Sequence, residues 1–501
     1  MWREGRWLLE HVAGRWQALH GALADWRNRL GRFERLADEN YSDRTVPDRE
    51  RSDAPRRIFE RQNHSLGLVS GKCDQVFAQA KDDLFGTRPW LSATPQGAED
   101  VELADRITKH SQWKFDQSNL EATLVDALKL AVHLGTAFPK LRWVREEEDY
   151  EVTHAEVPSG EEVPSAKGRQ KKKSVWRTVE VYNNVEAAVL DWKDVAFDPV
   201  APELDLRHTD FLCRFKMGLH DLAAQYGMTA EEKEELLESV RCGGDESARE
   251  HRGETEVRHA AGTWQDAEAN PVVWLVEGFV RCDPFNTGRP VRLHVIFSPE
   301  LHALFRCDYL ANVTPGGMLP VFPVRCFKDA RRILGRGYWE RFEDANDAVD
   351  GLYNATTLRN RKGADVFKGY HRGALVNEGE GQDVVNHAEK LFELKPDKTI
   401  DDLFQFKVMP DASGRSDALL QQMLQMTNLR LGTSSASQGN LTGIPENDTA
   451  TGSKINAGRA ALLDKAQIGQ MTADLRAAVE FAVHLNYANL EKDEVFTWGE
   501  R

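Results

Sequence analysis

Apolar residues near the N-terminus recur at alternating steps of three and four: Leu9, Val12, Trp16, Leu19, Leu23, Trp26, Leu30 and Phe33. That spacing lays them along one stripe of an amphipathic helix, expected within residues 1–40. Arg3, Arg6, Arg15, Arg27, Arg29, Arg32 and Arg35 make its other faces basic. Such a helix packs on its own protein or on a neighbouring copy; a membrane surface or DNA is the rarer use. Residues 38–55, rich in Asp, Arg and Ser, read as a linker.

Helices are expected to dominate residues 56–145. Asn119 stands where it can cap a helix whose apolar face holds Leu120, Leu124, Leu128, Ala131 and Leu134. Gly135 ends that helix, and Phe138 to Val144 reads as a strand. Further strand runs are Val175 to Tyr182, Val189 to Phe197 and Phe211 to Phe215. Three more follow, Val272 to Val280, Val291 to Phe297 and Ala303 to Tyr309, with turn residues Asn286-Thr287-Gly288 and Ser298-Pro299-Glu300 between them. They predict a small antiparallel sheet. Residues 157–174, with the run Arg169-Gln170-Lys171-Lys172-Lys173, read as a solvated hairpin tip able to touch phosphate, and residues 242–271 as a loose linker.

The last third is helical in period. One helix is expected from Tyr338, with Phe342, Ala345, Val349, Leu352 and Tyr353 on its stripe. Mixed turn and strand from Gly369 to Asp397 leads to a second helix near Ser416 to Leu431, faced by Leu419, Leu420, Met423, Leu424 and Met426. Gly432 to Thr449 is rich in Gly, Ser, Thr and Asn and poor in core formers. A long helix is then expected from Thr451 to Leu490, with Ile455, Ala461, Leu462, Ile468, Met471, Leu475, Val479 and Val483 on its apolar face. Gly458 on that stripe would permit close approach of a neighbour. Strands and helices are segregated along the chain, which argues for an α+β fold.

Composition narrows the function. A 501-residue chain, 41% hydrophobic and 29% charged, can fill two or three domain cores. No apolar run reaches the roughly 18 residues that span a bilayer, so no membrane role is expected. The opening residues lack a secretory pattern. Cys73, Cys213, Cys242, Cys282, Cys307 and Cys326 are scattered without CxxC pairing and read as buried free thiols. A net charge of −15 argues against a protein that grips DNA by a basic face, and leaves room for one along which DNA slides.

Catalytic chemistry has no constellation here. Nucleotide-loop, HExxH and GxSxG motifs are absent. Gly335 and Gly337 before a helix read as a hinge more readily than as a phosphate nest. His20, His133, His294, His302 and His484 show no acidic partners at ligand spacing. Asp344, Asp347 and Asp350 repeat every three residues, but a metal site needs carboxylates from other elements as well. The expectation is a non-enzyme without metal or cofactor.

Four stretches, in order, carry a family resemblance. Residues 120–144 (LEATLVDALKLAVHLGTAFPKLRWV) join a helix to a strand through a glycine turn. Residues 192–226 hold an Asp-Pro, an acidic loop, a strand and a short helix. Residues 335–366 are a helix with a Pro- and Gly-rich lead, and residues 446–490 place Thr-Ala-Thr-Gly before the long helix. The ordered set resembles the portal proteins of tailed bacteriophages and gene transfer agents.

The resemblance implies a dodecameric ring with an α/β wing at residues 41–336. Stem helices at 337–366 and 411–431 would flank a clip at 367–410. A tunnel loop at 432–450 would precede a long helix at 451–490 below the crown, and 491–501 would return to the wing. This plan ordinarily continues into a helical crown; with the chain stopping at Arg501, either the crown lies outside these residues or this member has little of one. Double-stranded DNA would slide past Arg430, Gly432, Ser434, Ser435, Ser437, Gln438, Gly439, Asn440 and Lys454. A terminase large subunit and later a head-completion or adaptor protein would dock on the clip, through Glu378, Glu380, Asp383, Lys395, Asp397 and Lys398. Major capsid and scaffolding proteins would be further partners, at a capsid vertex assembled in the host cytoplasm. The alternative is a scaffold or tail adaptor without a conduit.

Overall fold

The computed structural model describes residues 6–37, 66–152, 175–229, 231–234, 236, 272–284, 288–364, 367–370, 395, 404–407, 413–431 and 450–490. The chain is α+β and divides into two compact units. Residues 1–32, 74–337 and 465–501 form one; residues 33–73 and 338–464 form the other.

Helices α1 (Arg6–Ala22) and α2 (Ala24–Ala37) replace the single expected N-terminal helix, with a one-residue break at Leu23. Leu8, Val12, Trp16, Leu23, Trp26, Leu30, Phe33 and Leu36 are buried along them. Leu9 and Leu19, expected on the stripe, are only half-buried, because Leu8, Val12 and Trp16 make the central contact. Each of those side chains contributes about 1.5–3 kcal/mol by leaving water.

Helices α3 (Leu68–Phe85), α4 (Val101–Gln117) and α5 (Leu120–Leu134) follow. Leu120, Leu124, Leu128, Ala131 and Leu134 are buried as the spacing predicted. Asn119 is not the cap expected of it: it adopts φ 53 and makes no side-chain cap hydrogen bond. Gly135, at φ 99, turns the chain into β1 (Thr136–Val152), which pairs antiparallel with β2 (Val175–Leu190).

The expected strand from Val189 to Phe197 is two pieces. Asp191 accepts hydrogen bonds from the backbone N–H groups of Lys193 and Asp194, and this turn separates β2 from β3 (Val195–Ala196). β4 (Phe211–Gly218) runs into the short helix α6 (Leu219–Gln225). β5 (Val272–Cys282), β6 (Val291–Ser298) and β7 (Ala303–Tyr309) complete a five-stranded antiparallel sheet in the order β3-β4-β5-β6-β7. Residues 242–271, 157–174 and 285–287, expected as linker, hairpin tip and part of a turn, lie outside the described residues.

Alternation along this sheet sorts its two faces. Leu212, Val276, Val280, Leu293, Val295 and Phe297 pack on Leu8, Val12 and Trp16 of α1. Val273, Leu275 and Ile296 pack on Leu219 and Leu222 of α6. Cys73, Cys213, Cys282 and Cys326 are buried and in no disulfide; Cys307 corrects the expectation by being exposed, on the edge strand β7. Cys242 lies outside the described residues.

A short helix α7 (Leu310–Val313) leads on to β8 (Val324–Arg325), which pairs with the start of β1. Then come α8 (Tyr338–Ala364), β9 (Phe367–Tyr370), β10 (Phe404–Lys407), α9 (Ser413–Leu431) and α10 (Ala450–Ala488). Ile468, Met471 and Leu475 of α10 are buried, whereas Val479 and Val483 are half-buried.

Candidate functional site

In the second unit α8 leads to β9, which pairs antiparallel with β10, and α9 returns packed on α8. On α8 the buried positions include Phe342, Asn346, Val349 and Asp350, so the stripe carries two polar groups among its apolar ones. On α9 Leu420, Met423 and Leu424 are half-buried, but Leu419 and Met426, expected on the packing face, are exposed. Side chains at i and i+4 share a face, so one helical neighbour covers only part of that apolar set.

Two polar anchors fix this unit from inside. The Lys72 ammonium donates to Asp464 Oδ2 at 2.6 Å, with side-chain exposures of 0% and 6%. The hydroxyl of Tyr338, first residue of α8, points at the other oxygen of Asp464 from 3.4 Å. A buried ion pair needs such extra partners to offset its desolvation. In the second anchor Asp350 accepts from the Leu66 backbone N–H at 2.9 Å and from the Asn346 amide at 2.8 Å. The carboxylate series Asp344, Asp347, Asp350 therefore does not form one stripe: Asp344 is exposed and Asp350 is turned inward. Three residues advance a helix by less than a full turn, so the series winds around it. Among the described residues no cluster of His, Cys, Asp and Glu is gathered as metal ligands.

The expected DNA-facing and docking residues fall unevenly. Arg430 stands in the last turn of α9, and Lys454 is the fifth residue of α10. Lys395 is exposed. Gly432, Ser434, Ser435, Ser437, Gln438, Gly439 and Asn440 lie outside the described residues, as do Glu378, Glu380, Asp383, Asp397 and Lys398.

The first unit holds a polar cluster that the residue spacings did not disclose. Glu277 of β5 accepts from His294 Nε2 of β6 at 2.9 Å and is ion-paired with Lys140 of β1. Cys213 of β4 lies 3.8 Å from the same carboxylate. This corrects the reading of His294 as lacking an acidic partner. Burial alone would push the Glu277 carboxyl up, but the Lys140 charge and the His294 hydrogen bond outweigh it and bring it down to about 2. Lys140, despite the opposing effect of burial, is held above its ordinary range chiefly by Glu277. The Cys213 thiol is pushed up to about 12 by burial, so it stays protonated and is no nucleophile at neutral pH. The cluster joins two sheets and presents no reactive group. Its signal in the sequence is faint: Glu277, Lys140 and His294 stand inside the otherwise mostly apolar strand runs VVWLVEGFV, AFPKLRWV and VRLHVIF.

Glycines bring the start of β1 and the lead into α8 together. A Cβ at Gly335 would stand 2.9 Å from the Gly135 carbonyl oxygen, and one at Gly337 would strike the His133 carbonyl. Gly335 N–H donates to Thr136 Oγ1 at 2.8 Å. Close backbone approach, rather than a hinge or a phosphate nest, is what these glycines provide. Nearby, Arg325 of β8 grips Asp474 of α10 through Nε at 2.9 Å and Nη2 at 2.7 Å.

The fold alone does not name a role, and the comparison with known families gives the class: a phage portal protein. The family model described as phage SU10 portal protein matches residues 69–497, well over half of the chain, and the protein belongs to that family. No curated protein matches the chain. Portal proteins are structural parts of the phage, and membership implies a ring oligomer at the capsid vertex. No helix among the described residues is long and apolar enough to cross a membrane.

Proposed function

We propose that this chain is one subunit of a dodecameric ring that conducts double-stranded DNA into and out of the capsid. Membership of the portal family over residues 69–497 carries the reading. The paired helices α8 and α9 serve as the stem, and residues 367–410 as the clip on which the terminase large subunit and later an adaptor protein dock. Residues 432–450 line the tunnel, residues 41–336 make the wing, and α10 runs below the crown. A segment of small, uncharged side chains suits a tunnel wall because it makes no strong phosphate contact. A chain of net charge −15 repels a duplex within roughly one Debye length, about 8 Å at physiological salt, and so favours sliding over gripping.

Electron microscopy of the assembled protein tests the proposal. The expected result is a ring whose central hole admits a duplex. A monomer, an open filament or a solid disc would overturn it, the last favouring a scaffold without a conduit.

A further inference from the structure

The first unit carries a recess of about 320 Å³, lined by none of the residues expected to face DNA. Its wall comes from four places in the chain: Arg15 of α1, Arg207 and His208 of the loop before β4, and Arg281 near the end of β5, with Pro290 and Leu206 closing the sides. Asp210 is the acidic group in the lining, and both its oxygens are engaged. Oδ1 accepts the backbone N–H of Arg281 at 2.9 Å, and Oδ2 pairs with Arg15 at 3.2 Å. Asp210 therefore holds Arg15 at the mouth and leaves little negative potential of its own. Arg207 keeps a side-chain exposure of 72% while touching Asp205 at 3.4 Å. Among the described residues the Arg281 guanidinium and the His208 ring have no partner, and both are exposed.

We propose that this recess takes an acidic peptide segment of a partner protein, with two or more neighbouring carboxylates meeting Arg281, Arg207 and Arg15. Guanidinium groups bind carboxylates bidentately, and a pocket of this volume holds a few side chains. The shape argues against a DNA duplex as occupant. Duplex binding needs cations spread along a track that follows the phosphates, whereas here they converge on one concavity. A duplex laid across it would also meet the surface of a chain with net charge −15. The proposal rests on this recess alone and stands whether or not the ring conducts DNA.

The test uses the full-length protein and a fluorescein-labelled hexaglutamate peptide, followed by fluorescence anisotropy at low salt. Saturable binding is expected. The exposed-site double variant Arg207→Glu/Arg281→Glu should weaken it about tenfold or more, since two attractive contacts become repulsive. The control variant Arg106→Glu, on the exposed face of α4, should leave it unchanged. The milder pair Arg207→Ala/Arg281→Ala should give an intermediate loss, which guards against misfolding of the charge-reversed protein. Absence of saturable binding overturns the proposal. So does equal binding by the double variant, an equal loss in the Arg106 control, or displacement of the peptide by a short DNA duplex at lower concentration than by unlabelled peptide.

Discussion

The ammonium of Lys72 and the carboxylate of Asp464 meet at 2.6 Å inside the protein, 392 residues apart in sequence. Neither side chain has water to fall back on. Removing one partner strands the other charge in an apolar setting, at a cost of roughly 3–5 kcal/mol. Lys72→Met should therefore lower the urea midpoint steeply. The double variant Lys72→Met/Asp464→Leu should recover most of the loss, because a matched apolar pair no longer buries an ion. A single variant as stable as the parent protein would show the pair to be solvated in solution.

Glu277 makes a second prediction, in pH. Its folded carboxyl is depressed to about 2 from a starting value of 4.5. A depressed carboxyl contributes stability above its unfolded value, and that stability drains away as pH falls toward the folded one. The window is thus about pH 5 to 2. The contribution lost is on the order of 3 kcal/mol, because each tenfold change in proton affinity is worth about 1.4 kcal/mol. Urea denaturation across that range should show the decline in the parent protein. Glu277→Gln should start from lower stability and lose less of it to acid. An equally steep acid limb in Glu277→Gln would assign the effect to other carboxylates.

These two anchors mark the boundary of what could be read in advance. Local periodicity placed the buried face of α5 at Leu120, Leu124, Leu128 and Ala131, and β-branched runs placed β5, β6 and β7. Such elements announce themselves because their burial follows a repeat of 3.6 or 2 residues. Ion pairs across long sequence separations follow no repeat, so Lys140 with Glu277 and Lys72 with Asp464 emerged only with the fold. Asn119 misled because capping residues also tolerate the left-handed conformation that it adopts instead. Val189 to Phe197 misled because the apolar ends Val189-Leu190 and Val195 to Phe197 drew the turn residues Asp191 to Asp194 into one strand. Of the residues expected to face DNA, Arg430 and Lys454 stand on the two helices that flank residues 432–449, which themselves lie outside the described residues.

Gly135 should tolerate no side chain. Its φ of 99 costs an L-residue strain, and a Cβ there would also strike the Gly337 backbone. Strain at a positive φ is about 1–3 kcal/mol, and the steric clash adds a similar amount. Gly135→Ala should lower stability by at least about 2 kcal/mol in chemical denaturation. Gly14→Ala, on an open helix surface with nothing within 4 Å of the new methyl, should be neutral or mildly stabilising. Equal effects at the two sites would remove the close-packing account of the glycine junction.

Lys454 tests the tunnel assignment. It is the fifth residue of α10, at the N-terminal end, where the helix dipole disfavours a cation. Compensating that dipole therefore cannot be its purpose; Arg430, at a helix C-terminus, does suit such a role. A lysine beside residues 432–449 whose charge does not serve the helix end is explained if it guides passing phosphates weakly. Lys454→Glu reverses that guide while improving the match to the dipole, so folding and ring assembly should be unchanged or slightly improved. Packaged DNA per particle should fall, measured as nuclease-protected DNA against assembled rings. Full DNA yield from intact Lys454→Glu rings would take Lys454 out of the tunnel wall, and loss of the rings themselves would reassign it to subunit contact.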